Sequence, residues 1–143
     1  YSITNKKTKF YNIKFYESFG ENDTRKKIIP TIIDNYKKNK ITKVISKNLS
    51  LNIIHTDDII NSIMILLNNN IKSGTYCIKN KNNIRIHELI CALNKGLNKK
   101  IRVKYGNKYT TSKYQNILNI LPKWKPTRDL EDKIIKTFKN ETS

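Results

Sequence analysis

Glycine is scarce in this sequence: its 143 residues include four glycines, at positions 20, 74, 96 and 106, and no two of them are close neighbours. A dinucleotide-binding loop needs several glycines within a few residues, because its backbone must come close to a pyrophosphate. The sequence therefore contains no Gly-rich phosphate loop.

Cysteine and histidine are rare as well. Cys77 and Cys91 are the only cysteines, too few for a disulfide framework or a zinc site, and we predict that both are reduced, buried and structural. His55 and His87 are far apart and lack partners at metal-ligand spacing, so we predict no metal site. No serine stands in a His/Asp arrangement for nucleophilic catalysis, and we predict no catalytic residue of this kind.

Long apolar runs are absent too. No stretch reaches the ~18 apolar residues of a membrane helix, and residues 1–10 lack the apolar core of a signal peptide. The single methionine is Met64, so we expect the sequence to be part of a longer protein. Its length fits one domain with a modest core, and we predict a single domain over residues 1–143.

Acidic residues are few, and the charge is strongly positive: 29 lysines and arginines face 11 aspartates and glutamates, for a formal net charge of +18. Such a charge indicates a polyanionic partner, either a nucleic acid or an anionic membrane surface. However, arginine, the side chain best suited to bidentate phosphate contacts, is rare, and the lysines are spread through the whole chain with asparagine and isoleucine. That spread is typical of a compositional bias. The charge alone therefore does not decide the function, and we keep a small basic nucleic-acid-binding module as an alternative to the interpretation given below.

Short strands and helices alternate along the sequence, which predicts an α/β fold. Alternating or β-branched runs predict strands at Tyr11–Tyr16, Ile41–Ser46, Leu49–His55, Thr75–Lys79 and Ile101–Tyr105. Apolar residues at helical spacing predict helices at Ile28–Tyr36, Thr56–Leu67, Ile86–Leu97, Tyr114–Leu121 and Leu130–Phe138. We predict a loop over Glu17–Lys27. The scatter of short strands favours a segment that completes a sheet supplied from elsewhere, with Tyr11–Tyr16 at its edge.

The helix that follows Ile54 carries strong local signals. It begins at Thr56-Asp57-Asp58, where Thr56 or an aspartate is predicted to cap it and the acids favour the positive end of its dipole. We predict a buried helix, because its apolar residues leave little polar face; they are Ile59, Ile60, Ile63, Met64, Leu66 and Leu67. His55, at the end of the preceding strand, is predicted to be a packed, hydrogen-bonded histidine.

Several short motifs follow one another in a definite order. They are Ile13-Lys14-Phe15-Tyr16-Glu17-Ser18-Phe19-Gly20, Lys27-Ile28-Ile29-Pro30, Leu51-Asn52-Ile53-Ile54-His55-Thr56-Asp57-Asp58, Tyr76-Cys77-Ile78 with Arg85-Ile86-His87-Glu88-Leu89, and Leu121-Pro122-Lys123-Trp124-Lys125-Pro126. In this order, the set resembles the C-terminal half of the NAD(P)-dependent nucleotide-sugar epimerases and dehydratases, which are extended short-chain dehydrogenases. The resemblance covers roughly residues 11 to 138.

This resemblance implies the C-terminal part of a Rossmann-type enzyme whose cofactor-binding half is absent. It implies that the chain holds the substrate of an enzyme that epimerises, dehydrates or reduces a nucleotide-activated sugar. NAD or NADP would carry the hydride, bound mainly by the missing N-terminal half. The family's Tyr-x-x-x-Lys pair also lies in that half, so we expect this chain alone to be inactive. The family further implies a cytoplasmic enzyme of polysaccharide biosynthesis, able to form a homodimer.

The family's substrate-binding positions fall on two segments. Its loop asparagine, which contacts the substrate, falls on Glu17, and Ser18 and Phe19 follow in the same expected wall. The backbone that meets the nucleotide falls on Lys27, Ile28 and Ile29. These six residues are the substrate-binding residues that the resemblance implies.

The family's strand residue beside the nicotinamide falls on Phe15, and Tyr16 follows it, so the resemblance implies cofactor contacts for both. The family's substrate-phosphate arginine falls on Leu51, which is a departure, as is the acid at position 17. The resemblance then implies that another cation takes over the phosphate contact; the candidates are Arg25, Lys26 and Lys27.

Overall fold

The protein is described by a computed structural model that covers residues 8–108, 119–126 and 130–142. These ranges contain eight strands and four helices in the order β1 (Tyr11–Lys14), β2 (Glu17–Phe19), α1 (Ile28–Lys37), β3 (Thr42–Val44), β4 (Ser50–Leu51), β5 (Ile53–His55), α2 (Thr56–Asn68), β6 (Gly74–Cys77), β7 (Ile84–Arg85), α3 (Ile86–Gly96), β8 (Val103–Tyr105) and α4 (Leu130–Thr142). Within them, no helix combines the length and apolar composition that crossing a bilayer requires.

The strands form four separate pairs. Three pairs are parallel: β1 with β6, β2 with β5, and β3 with β8; β4 and β7 are antiparallel. Parallel partners need long crossover connections, and here each crossover contains at least one helix. This arrangement confirms the predicted α/β class and the prediction of short, scattered strands.

Two apolar clusters form the core. The larger cluster joins α1, α3 and α4 and is centred on side chains such as Ile32, Leu93 and Phe138, which are at most 1% exposed. The smaller cluster contains Ile54, Ile71, Ile78, Leu121 and Trp124 and packs beneath β1 and β6. Burial of such apolar surface stabilises the fold by roughly 25 cal/mol per Å².

Helix α1 follows the sequence prediction closely. Its buried residues recur at helical spacing, and Pro30 lies in the first turn, where its missing N–H costs no hydrogen bond. The ring of Tyr36 meets the ring of Phe138 edge-on, with centroids 5.8 Å apart, which docks α1 on α4. The helix ends before Asn39, whose φ of 51° lies in the left-handed region.

The cap of α2 differs from the prediction. Thr56 is the first helical residue, and His55 is the N-cap: its Nδ1 accepts a hydrogen bond from the backbone N–H of Asp57 at 3.2 Å. The Asp57 carboxylate instead bonds Lys133 of α4 at 3.0 Å. The prediction of a packed, hydrogen-bonded His55 is confirmed, because its ring also lies edge-on to Phe19 at 4.9 Å.

The prediction that α2 is buried is wrong for this chain. Ile60, Ile63, Met64 and Leu67 are 58%, 50%, 48% and 73% exposed, whereas the buried residues of the helix are polar. The four side chains are spaced i, i+3, i+4 and i+7, so they form one stripe along the helix, here called the apolar stripe. The described residues do not supply the surface on which this stripe would pack.

Smaller differences concern local elements. Glu17–Phe19 is a strand and not part of the predicted loop, because it pairs in register with Ile53–His55. Cys77 is buried as predicted, but Cys91 is exposed. The other predicted strands are shorter than expected. Of the predicted helix at Tyr114–Leu121, residues 114–118 lie outside the described residues, and residues 119–121 are not helical, because Ile120 forms a β-bridge with Cys77.

Candidate functional site

The segment Gly20–Lys27, here called the site loop, connects β2 to α1. Strands β2 and β5 are parallel, so the site loop leaves the same sheet edge at which β5 enters α2. The carboxyl ends of parallel strands are where open α/β folds place their ligands. The site loop therefore occupies the position in which a ligand-binding segment is expected.

The site loop begins in close contact with α2. A Cβ on Gly20 would lie 2.5 Å from Oγ1 of Thr56, which is closer than real atoms approach, so any larger residue here would force the loop or Thr56 to shift. Asn22 follows with φ of 58°, a left-handed conformation that asparagine tolerates better than most residues. These two residues set the direction of the turn.

Arg25 holds the second half of the site loop. Its Nε and Nη2 donate to the Asp23 carboxylate at 2.8 and 2.6 Å, and Nη2 also donates to the carbonyl and hydroxyl oxygens of Ser18 at 3.1 Å. The hydrogen bond from Arg25 holds the pKa of Asp23 below its ordinary value. The guanidinium group is thus directed at the loop itself. Among the candidate phosphate cations, Lys26 and Lys27 have no comparable internal role in the described structure.

The N-terminus of α1 is open to an anion. Lys27 is its N-cap, with extended backbone, no side-chain capping hydrogen bond and no acid in the first turn. The positive end of a helix dipole and its unpaired N–H groups attract negatively charged ligands. The Lys27 side chain is 49% exposed, and its Nζ lies 3.9 Å from Oε2 of Glu17. One cation and one acid therefore face each other beside this helix end.

The structure places the six predicted substrate-binding residues in two environments. Glu17 and Lys27 have partly exposed side chains that face each other. Ser18 and Phe19 are buried, at 8% and 0% exposure, and Ile29 is 2% exposed. Ile28 is half-buried and packs against the larger cluster. Ser18, Phe19 and Ile29 thus present mainly backbone to any ligand.

The two predicted cofactor residues lie where β1 ends. Phe15 is 42% exposed, and Tyr16 is half-buried. Burial raises the pKa of the Tyr16 hydroxyl, and it also raises the pKa of the buried Cys77 thiol. The two groups share a hydrogen bond. Phe15 therefore offers an accessible aromatic face, whereas Tyr16 is tied to β6.

Leu51, at the family's phosphate-arginine position, is a core residue with 4% exposure. Its neighbour Asn52 was not singled out from the sequence. Asn52 is 2% exposed; its Nδ2 donates to the Asn80 carbonyl at 3.0 Å and to Oδ1 of Asn83 at 2.8 Å. An asparagine inside the apolar run 51–54 was the available signal, because a buried amide needs such partners.

Metal-ligating side chains are not clustered in the described ranges, which contain no group of three or more His, Cys, Asp or Glu residues that could hold an ion. Pairs of such side chains do occur: Nδ1 of His55 lies 3.2 Å from Oδ2 of Asp57, and on α3 the Cys91 sulfur lies 3.8 Å from Nε2 of His87.

No protein-family model matches the chain. Among curated proteins, the CDP-abequose synthase of Yersinia pseudotuberculosis is 28% identical over 125 residues, which cover 81% of this chain and 44% of that protein. The chain thus spans less than half the length of this relative.

Solved structures give the same result for the fold. A UDP-N-acetylglucosamine 4-epimerase from Methanobrevibacter ruminantium M1 matches with a TM-score of 0.74 at 17% identity, over 92% of this chain and 45% of that one. The UDP-glucuronic acid 4-epimerase from Bacillus cereus, in complex with UDP-glucuronic acid and NAD, matches with a TM-score of 0.74 at 17% identity, over 90% and 44%. RMD from Pseudomonas aeruginosa, complexed with NADPH, matches with a TM-score of 0.71 at 12% identity, over 92% and 47%. These comparisons confirm the predicted resemblance and a Rossmann-type partial fold.

Proposed function

We propose that this chain is the C-terminal, substrate-binding part of an NAD(P)-dependent nucleotide-sugar epimerase or dehydratase; its similarity to such enzymes over somewhat less than half of their length supports this. The reaction is the epimerisation, dehydration or reduction of a nucleotide-activated sugar. The observation that carries the proposal is the α1 N-terminus: it has no side-chain cap and no acid in its first turn, and Lys27 stands beside it at the carboxyl edge of β2 and β5.

The diphosphate of the substrate is the group that fits this helix end. The backbone N–H groups of the first residues of a helix, here Ile28 and Ile29, point out of its N-terminal end, and the partly exposed Lys27 adds a positive charge. The Glu17 carboxylate can accept hydrogen bonds from sugar hydroxyls, while Ser18 and Phe19 contribute backbone. A lysine lacks the bidentate geometry of the arginine that Leu51 replaces, so phosphate binding is expected to depend more on salt.

The cofactor of the proposed enzyme is NAD or NADP, bound mainly outside this chain. When bound, it supplies the hydride carrier of the reaction. Within this chain, the accessible ring of Phe15 is the side chain that supports a contact with the nicotinamide, with Tyr16 fixing the end of β1 against β6. The acid–base chemistry belongs to the other half, so the chain by itself is expected to oxidise no NAD(P)H.

The proposed partner of this chain is the N-terminal cofactor-binding half of the same enzyme. The apolar stripe of α2 is a surface that this half can cover, and Phe10 and Phe15 are further exposed apolar side chains, next to β1. Burying such a stripe is worth on the order of several kcal/mol of apolar transfer energy. The complete enzyme is proposed to be cytoplasmic, to dimerise, and to serve polysaccharide biosynthesis.

A competition between ligand classes tests the proposal. The chain is titrated calorimetrically with UDP-glucose, UDP-glucuronic acid, CDP-glucose, duplex DNA and single-stranded RNA at near-physiological salt, with Lys27→Ala as the matched variant. We expect a nucleotide sugar to bind and Lys27→Ala to weaken that binding. Tight polynucleotide binding with a steep salt dependence, and no response to any nucleotide sugar, would favour the nucleic-acid-binding alternative.

A further inference from the structure

The end of α4 contacts the site loop through two consecutive residues. Nδ2 of Asn140 donates to Oε1 of Glu21 at 2.7 Å, and the Glu141 carboxylate accepts a hydrogen bond from the backbone N–H of Asn22. The second oxygen of Glu141 accepts from Nζ of Lys37, at the end of α1, at 3.1 Å. A single carboxylate thus joins the loop, α1 and α4.

The site loop has little apolar support beneath this contact. An open pocket of about 700 Å³ lies between its residues 22–26 and the face of α1 that carries Pro30, Ile33 and Asp34. Because the loop does not rest on packed side chains here, its path depends on polar contacts. The Arg25–Asp23–Ser18 interactions fix its second half, and the α4 end fixes its first half.

The Glu141 contact is also well formed electrostatically. The hydrogen bond from the Asn22 backbone and the contact with Lys37 hold the pKa of Glu141 below its ordinary value, so the group is ionised at neutral pH. Its side chain is 21% exposed, which limits competition from water. Asn22 has a left-handed backbone, and an acceptor fixed on its N–H favours that conformation.

We propose that Glu141, assisted by Asn140, is a positioning residue for nucleotide binding: it holds the Glu21–Asn22 turn and thereby the approach of the site loop to the N-terminus of α1. The inference rests on the proposed function, because it assigns a task to the same site. It adds that a residue on the last described helix controls affinity through the loop.

Four variants separate this role from plain stability. Glu141→Ala removes both contacts, and Glu141→Gln keeps an oxygen that can accept from Asn22 while losing the charge. Lys37→Ala breaks only the ion pair with α1. Glu131→Gln removes the same charge from an exposed position of the same helix and serves as the control.

Hydrogen exchange of the purified chain is the first measurement. We expect Glu141→Ala to raise amide exchange across residues 21–26 about tenfold, since a local opening is no longer opposed by the α4 contact. Glu141→Gln should restore most of the protection, and Lys37→Ala and Glu131→Gln should retain it. Unchanged exchange across 21–26 in Glu141→Ala overturns the proposal.

Binding of UDP and CDP is the second measurement. We expect the dissociation constant of the better ligand to rise about fivefold in Glu141→Ala and to recover in Glu141→Gln, a pattern that loss of stability alone does not produce. If the loop opens while nucleotide affinity is unchanged, the positioning role is refuted. If the parent chain binds neither nucleotide, the proposed function itself fails, and the exchange data still decide whether α4 holds the loop.

Discussion

The Nζ of Lys27 lies 3.9 Å from Oε2 of Glu17, at the point where β2 and the N-terminus of α1 come together. This distance is too long for a hydrogen bond, and the two side chains are 49% and 28% exposed. Exposed pairs of this kind contribute little to stability. The lysine can therefore exchange its partner for a phosphate oxygen without a large cost to the fold.

Replacing Lys27 by alanine in the complete enzyme tests this exchange. The dissociation constant of the nucleotide sugar should rise by the equivalent of ~1–2 kcal/mol, because one charge-assisted hydrogen bond is lost. The unfolding free energy should change by less than about 0.5 kcal/mol. Calorimetry and urea denaturation give the two numbers. Lys43→Ala, at an exposed position of β3, is the control, and equal effects of both substitutions on affinity would contradict the assignment.

Replacing Glu17 by glutamine should alter turnover more than folding. Glutamine has the same shape but cannot carry the charge that a sugar-facing carboxylate provides. We expect kcat to change severalfold while the midpoint of urea unfolding stays within error of the parent value. Steady-state kinetics of the complete enzyme and denaturation of the same preparation provide the comparison. A variant with parental kcat and KM would show that Glu17 only connects β2 to the loop.

Replacing Gly20 by alanine should destabilise the chain by ~1–3 kcal/mol. The added Cβ would lie 2.5 Å from Oγ1 and 2.7 Å from Cγ2 of Thr56, so the start of α2 or the loop must shift. Thr56→Ala removes both atoms, and the double variant should recover much of the loss. A double-mutant cycle by urea denaturation measures the coupling. Additive effects would show that the clash is relieved elsewhere.

Acid should destabilise the chain through three carboxylates. Asp23, Asp57 and Glu141 have pKa values lowered by hydrogen bonds from Arg25, Lys133 and the Asn22 backbone, respectively. A lowered folded-state pKa contributes stability that is present above the unfolded-state pKa and is lost as the pH falls through the folded-state pKa. The melting temperature should therefore hold between about pH 7 and pH 5 and fall below about pH 4. In Asp57→Asn, the melting temperature should fall less steeply below about pH 4 than in the parent chain. If both chains lose stability equally with falling pH, Asp57 does not contribute to the acid sensitivity.

The apolar stripe of α2 should matter for association and not for the fold of this chain. Leu67 is 73% exposed and Ile63 is 50% exposed, so Ile63→Lys and Leu67→Lys should leave the unfolding free energy within about 0.5 kcal/mol. The same changes should abolish binding of a co-expressed cofactor-binding half and reduce aggregation of the chain alone. Co-purification and light scattering report the two effects. Ile32→Lys, in the core, is the contrasting control and should unfold the chain.

Sequence periodicity was sufficient to predict the buried residues of helices that pack against other elements of this chain. Helices α1 and α3 bury the residues that their spacing predicts, because α4 and the strands cover that face. The spacing of α2 is equally apolar, yet its stripe is exposed. Periodicity identifies the apolar face of a helix, but whether another element covers that face depends on the rest of the molecule.

The candidate site was less accessible to sequence reasoning. A histidine as N-cap of α2 could not be expected from cap preferences, which favour Ser, Thr, Asp and Asn. The hydrogen bonds between α4 and the residues Glu21 and Asn22 join positions 119 residues apart, so no local sequence pattern could predict them. The role of Arg25 inside the loop was also hidden, since an arginine near a phosphate site suggests a ligand contact.

The pairing of strands fixes when each part of this chain can become ordered. Among the described strands, none pairs with its neighbour in sequence: β1 can pair only after β6 has been synthesised, and β3 only after β8. At a synthesis rate of ~5–20 residues per second, β1 is synthesised several seconds before Gly74, its first partner. During that interval its backbone edge and Phe15 are open to other chains, which is a hazard for a slow, non-local topology. Newly made copies are therefore expected to depend on chaperones until residue 77 has been added, well before the helix that steadies the site loop is made.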